Sequence, residues 1–423
     1  MYPRLPPSTV RLHRWPAGGR RHPFHLRRAV PLLVPLSAGL CLAALVDSLL
    51  SDAHAAESAG TQQAVSTAVA VSPAAAVSPA AAASAAAASA VVPEDLDRLA
   101  PPARTSTRDD VLEGRIDRIL TQGRTPFSAV VVMEVKSGRV LAVAEHSTEG
   151  AEGLPYKAFA PAASVFKIVT SAALLEDGVS RAEQVCYHGG KTRMKERQLD
   201  DNPRLDRACV LFDDALPKSA NVAMAKLASR HLTPLQLRAV AQRWGFQAPL
   251  PVPFPLEVSP AVIPDERFAF AEAAAGFGDV KISPVHGAMI AAAVANEGVL
   301  VAPRFFEEEE RTIAKVADPR VARALRAMMN ETVTEGTARR QFQQRPRLPF
   351  SAGGKTGSLT DYQTGLDTSW FVGFAPAEAP EIVVAAVVVN TSKWHIKAPY
   401  VAKEALRETM KLRGSRGPRV ASR

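Results

Sequence analysis

Ser164 and Lys167 stand three residues apart in "PAASVFKIVT", a run otherwise made of apolar or small residues apart from Thr170. On a helix that spacing puts both side chains on one face. A serine hydroxyl becomes a nucleophile when a neighbour takes its proton. A lysine can take it once burial lowers its pKa, and Val165, Phe166, Ile168 and Val169 would supply the apolar surroundings. Free backbone N–H groups at the start of such a helix would lie close to Ser164, where an oxyanion could develop. A lysine in an apolar helix can also lay its stem along the core and lead its head to water. The segment alone does not choose between these uses.

Two further polar islands bear on the choice. "LPKSANVAMAKLA" carries Ser219, which could relay a proton between Lys167 and a leaving group, and Asn221, which could hold a substrate amide and fix the lysine. Either residue would serve equally as the N-cap of the helix that follows. "GGKTGS" carries Lys355, Thr356, Gly357 and Ser358. It invites a phosphate-loop reading, but that motif needs a glycine at 349, where this chain has proline, and a helix afterwards. A strand beside the nucleophile fits better. From it Lys355 and Thr356 would meet a substrate carboxylate, and Gly357 would leave room for a ligand along the backbone.

The elements needed to position these groups can be read along the chain. "SAVVVMEV" and "RVLAVAE" surround Lys136-Ser137-Gly138 as a β-hairpin. A largely helical stretch, 212–329, follows the Ser164 helix. "SAGGKTGSLT", "TSWFVGFA" and "EIVVAAVVVN" read as three more strands, and 400–412 as a closing helix. Strands from both chain ends and helices between them predict an α+β fold. A central antiparallel sheet is flanked by helices and joined to a mostly helical subdomain.

The +9 net charge of the 423 residues sits at the ends. Met1–Glu57 contributes +4 and Lys411–Arg423 +5, so the body is near neutral and lacks the basic stripe of a nucleic-acid-binding surface. Arginines 20, 21, 27 and 28 precede an apolar run, 29–46, and Ala53-His54-Ala55 follows it. This pattern predicts an exported protein, with the run either kept as a membrane anchor or cleaved as a signal after Ala55. Cys41 is a poor lipoprotein cysteine, because Leu40 stands where a small residue is wanted. Residues 57–92, almost all Ala, Ser, Val and Pro, read as a linker whose ends lie roughly 35 Å apart. The organisation expected is a basic segment 1–28, an anchor or signal 29–50, a linker 51–104, a folded domain 105–412 and a basic tail 413–423. In an oxidising compartment Cys186 and Cys209 could pair, pinning the polar segment between them, or remain reduced. A zinc site lacks further ligands at suitable spacing, and no cofactor or metal motif is evident.

The chain holds one Ser-x-x-Lys, one Ser-x-Asn and one Lys-Thr-Gly, in that order. With "PKSANVAMAKLA", "AAGFGDVKISPVHGAMIAAAVANEGVLVAPR", "MMNETVTEGTAR" and "SWFVGFAPAEAPEIVVAAVVVN", residues 125–410 resemble the transpeptidase domain of penicillin-binding proteins. The resemblance implies that Ser164 attacks the carbonyl between the last two D-alanines of a peptidoglycan stem peptide. Lys167 would be the base and Ser219 its assistant. Asn221 would bind the substrate amide, Lys355 and Thr356 the terminal carboxylate, and the N–H groups of Ser164 and Ser358 the oxyanion. β-Lactams would acylate the same serine, and cell-wall synthesis proteins are the implied protein partners.

Two departures stand out. Ala162 occupies a place often held by glycine, and Gly276-Phe277-Gly278 replaces the frequent Gly-Gln-Gly. Residues 57–104 do not read as the usual pedestal domain, which suggests a solitary transpeptidase domain on a tether. The alternatives are a D,D-carboxypeptidase, a serine β-lactamase and a non-catalytic β-lactam sensor. The β-lactamase would need a base for the deacylating water, and no convincing glutamate supplies one. The sensor would need more than one apolar run.

Overall fold

The computed structural model describes residues 105–416, apart from 191, 192, 308, 309, 392 and 394. The expected basic segment, anchor, linker and cleavage site therefore lie outside the described residues, as does most of the basic tail. Among the described residues no helix is long and apolar enough to cross a membrane.

Five strands build the central sheet: β1 (Phe127–Glu134), β2 (Val140–His146), β3 (Gly353–Thr360), β4 (Asp367–Ala375) and β5 (Ile382–Asn390). Their order is β2-β1-β5-β4-β3, antiparallel throughout. The hairpin read from the sequence is β1–β2, and the three later strands are β3, β4 and β5. The central strand β5, "IVVAAVVVN", is buried along its whole length, because both faces of the sheet are covered. Val383, Ala385 and Val387 belong to one core, while Ile382, Val384, Ala386 and Val388 belong to another.

The second core is closed by α1 (Asp110–Gly123), through Leu112, Ile116 and Leu120, and by α7 (Ala398–Arg416), through Val401, Ala405 and Leu406. Asp109 caps α1, accepting from the N–H groups of Val111 and Leu112. The first core holds the subdomain inserted between β2 and β3. Its helices include α2 (Lys167–Glu176), α3 (Asn221–His231), α4 (Arg267–Ala274), α5 (Pro284–Ala295) and α6 (Pro319–Thr334). Every residue of α5 is buried, as its sequence, apolar but for His286, requires.

Two local details differ from the sequence reading. Ser164 does not lie in the α-helix. It sits in a 3₁₀ turn, Ala163–Val165, and α2 begins only at Lys167. The closing helix is also longer than 400–412, starting at Ala398 and ending at Arg416.

Candidate active site

The 3₁₀ turn, the start of α3, the end of α4 and the edge strand β3 converge on one cleft. It encloses about 220 Å³, and Ser164, Asn221, Ala275, Phe277, Ser358 and Tyr362 are among its lining residues. Lys167, bonded to Ser164 and Asn221 of the lining, is fully buried. Its Nζ lies 2.8 Å from Ser164 Oγ, 2.8 Å from Asn221 Oδ1 and 2.6 Å from the carbonyl oxygen of Ala275. The Phe277 ring centre lies 6.0 Å from the same nitrogen. The tighter turn thus preserves the contact expected from a regular helix.

Burial pushes the Lys167 ammonium well below its ordinary pKa, and the positive charge of Lys355 adds to the shift. A neutral amine has two N–H donors and one lone pair. Asn221 Oδ1 and Ala275 O can take the two donors, which turns the lone pair toward Ser164 Oγ. This is the arrangement that proton removal from a serine needs.

Lys355 is also fully buried, and burial pushes its pKa down to about 7. It donates to Ser219 Oγ at 3.1 Å and to Thr356 O at 2.8 Å. Ser219 is therefore partnered with Lys355, where the sequence reading placed it beside Lys167. Ser219 also holds a left-handed φ of 53°, uncommon outside glycine. The alternative N-cap role does not occur, because Ala220 occupies the cap of α3 and no side chain caps it. Thr356 Oγ1 lies 2.6 Å from Thr337 Oγ1. Thr337 follows α6 in the "TEGT" segment, whose residues alone point to no function.

The space beside Gly357 is taken by the nucleophile turn. A Cβ there would lie 3.2 Å from Ala162 O and 3.3 Å from Val165 Cγ2. Its neighbour Ser358 lines the cleft. Ala162 has an ordinary φ of −62°, so the glycine expected there is not needed. The left-handed residue is Ala163, at φ 48°, immediately before Ser164. Gly276 explains how the turn fits. At φ 85° it lies so close that a Cβ would stand 2.2 Å from Ala163 O. The "GGKTGS" segment is strand β3, with no helix behind it, so it is not a phosphate loop. Cys186 and Cys209 are paired in a disulfide.

Fold and site together define a serine-lysine acyltransferase architecture. The family model described as penicillin binding protein transpeptidase domain matches residues 128–411. The chain belongs to that family. The peptidoglycan D,D-transpeptidase PbpA of Mycobacterium tuberculosis is 30% identical over 248 residues, which are 54% of this chain and 50% of that protein. A probable peptidoglycan D,D-transpeptidase, PbpC of Pseudomonas aeruginosa, is 28% identical over 299 residues, covering 65% and 51%. The chain thus spans about half the length of the curated relatives it matches. The crystal structure of PBPA from M. tuberculosis superposes with a TM-score of 0.60 at 22% identity, covering 73% of this chain and 80% of that one. The ceftriaxone acyl-enzyme complex of the same protein gives 0.61 at the same identity, covering 73% and 79%.

Proposed function

We propose that the chain is a penicillin-binding D,D-transpeptidase of the cell envelope. The observation that carries this reading is the buried Lys167 amine, 2.8 Å from Ser164 Oγ and held from behind by two carbonyl acceptors. Lys167 removes the Ser164 proton as Oγ bonds to the carbonyl carbon between two D-alanines. The backbone N–H groups of Ser164 and Ser358 stabilise the oxyanion. Lys355, with Thr356 and Thr337 beside it, receives the substrate's terminal carboxylate. That anion favours protonated Lys355, and a charged Lys355 keeps Lys167 neutral. Lys167 then gives the proton taken from Ser164 to the leaving amine, with Ser219 assisting, and D-alanine departs as the carbon–nitrogen bond breaks. Asn221 orients the peptide amide.

An amine from a neighbouring stem peptide resolves the acyl-enzyme into a cross-link. Asp367, which also lines the cleft, accepts from Thr360 at 2.5 Å. The domain, 105–412, would work outside the cytoplasmic membrane on a linker, 51–104, anchored through 29–50 or released after Ala55.

Labelling with a fluorescent penicillin tests this reading. The wild-type chain should form a stable adduct that Ser164→Ala abolishes, and a D,D-peptide donor with an amine acceptor should yield cross-linked product. Rapid release of hydrolysed drug would instead indicate a β-lactamase. Absence of Ser164-dependent label would overturn the assignment.

A further inference from the structure

Between its two cysteines the chain leaves the subdomain as an arm. Gln184–Tyr187 and Ala208–Leu211 pair as an antiparallel ribbon, with Cys186 opposite Cys209, and the disulfide closes it. The arm is built around a second buried lysine that the chemistry above does not use. Lys226, on α3 five residues after Asn221, is fully buried. It donates to Cys186 O at 3.0 Å, Asp206 Oδ2 at 2.7 Å and Asp201 Oδ1 at 3.1 Å. All three of its N–H donors are spent on the arm. Burial acts to raise the Asp206 pKa, but hydrogen bonds from Asn202 N–H, His188 and Lys226 outweigh it and hold the carboxyl at about 2. Met194 and Leu199 of the arm also form a small core with Val222, Ala225, Ala271 and Ala275.

This packing seats the arm on the two segments that supply the carbonyl acceptors of Lys167. Gly190 packs directly against α3. At φ 74° it has no room for a Cβ, which would stand 2.1 Å from Val222 Cγ2. Its carbonyl thereby reaches Asn221 Nδ2 at 3.0 Å. A carbonyl can only accept, so this bond decides which end of the Asn221 amide faces Lys167. With Nδ2 engaged by Gly190, Oδ1 must point at the lysine. A half-turn of the amide would set donor against donor and free the amine to rotate away from Ser164.

We infer that the disulfide-closed arm is a positioning element of the acylation site: Gly190, held in place by Lys226, orients the Asn221 amide and so aims the Lys167 amine at Ser164. The inference rests on the reading of Ser164 as nucleophile and Lys167 as its base. The groups facing Lys167 are Ser164, Asn221, the Ala275 carbonyl and the Phe277 ring, and the charged group acting on it is Lys355 on β3.

The test is the acylation rate of the full chain by a fluorescent penicillin across pH, below each variant's melting temperature. Gly190→Ala should lower the rate roughly tenfold or more, the loss expected when a hydrogen bond to a reacting group is broken. The acid limb of its pH profile should move to lower pH, because Lys167 loses an acceptor that favours its charged form. Gly190→Ala/Val222→Ala, which removes the obstructing methyl, should recover part of the rate, the strain of alanine at φ 74° remaining. Cys186→Ser/Cys209→Ser, which opens the arm without touching Gly190, should shift the profile in the same direction. If these variants melt earlier but keep wild-type rates and an unmoved acid limb, the arm is a structural clamp and the inference fails. A wild type that takes no Ser164-dependent label would instead defeat the functional reading beneath it.

Discussion

Lys355→Met should stabilise this protein at neutral pH while impairing acylation. The unfolded lysine titrates at 10.5 and the folded one at about 7, with burial as the cause. The difference is a penalty on folding, because the unfolded chain holds a proton that the buried amine gives up. At pH 7 the penalty is about 4 kcal/mol. It is fully present below pH 7 and fades as pH rises toward 10.5, so this group makes stability increase with pH across that window. Methionine fills a similar volume without a charge. It forfeits the bonds to Ser219 and to Thr356 O, at about 1 kcal/mol each, leaving a net gain of about 2 kcal/mol at pH 7. By about pH 9 the penalty on the wild type has fallen to that same level, and the advantage should vanish. The assay is urea unfolding at several pH values, with penicillin acylation measured in parallel. A variant less stable than wild type at pH 7, or an advantage that persists unchanged to high pH, would refute the burial argument. A gain in stability bought by loss of activity is expected where a site holds costly groups for its chemistry.

Lys167→Met, which keeps the volume without burying a charge, should acylate at least a hundredfold more slowly, since a thioether cannot act as a base; wild-type labelling would remove Lys167 from that role. Ala163→Gly should change stability by less than about 0.5 kcal/mol, because relief at φ 48° offsets the added freedom of the unfolded chain. Ala162→Gly, at φ −62°, should cost about 1 kcal/mol in the same unfolding assay. Gly276→Ala should reduce acylation roughly tenfold or more, because its Cβ would displace the Ala163 carbonyl behind the nucleophile. An unaffected rate would mean that the turn can move without consequence.

Much of the site was legible because its chemistry needs particular residue types at short spacing. A hydroxyl and an amine three residues apart share a face on any helical turn, and Ser164 and Lys167 come together although the turn is 3₁₀. The strands were legible for a similar reason, since runs such as "EIVVAAVVVN" suit a sheet buried on both faces. Cross-chain partnerships were less accessible. Asn221 reaches Lys167, as its place in the second island suggested, but Ser219, expected to relay a proton from Lys167, bonds Lys355. Ser219 holds a left-handed backbone, and no short pattern encodes that. The Ala275 carbonyl was invisible for a simpler reason: every residue carries one, and only the end of α4 brings this one to Lys167.

By itself the sequence pointed to the proposed class of chemistry, the α+β architecture and the three segments that converge. Those depend on residue type and local periodicity, which a linear chain displays. Tertiary structure alone decided the lowering of the two lysines' pKa, the pairing of Ser219 with Lys355 and the seating of the disulfide-closed arm on Asn221. These depend on burial and on contacts between residues tens to hundreds of positions apart. A pKa is set by how much water a group loses and which charges surround it, and both are known only once the chain has closed around them.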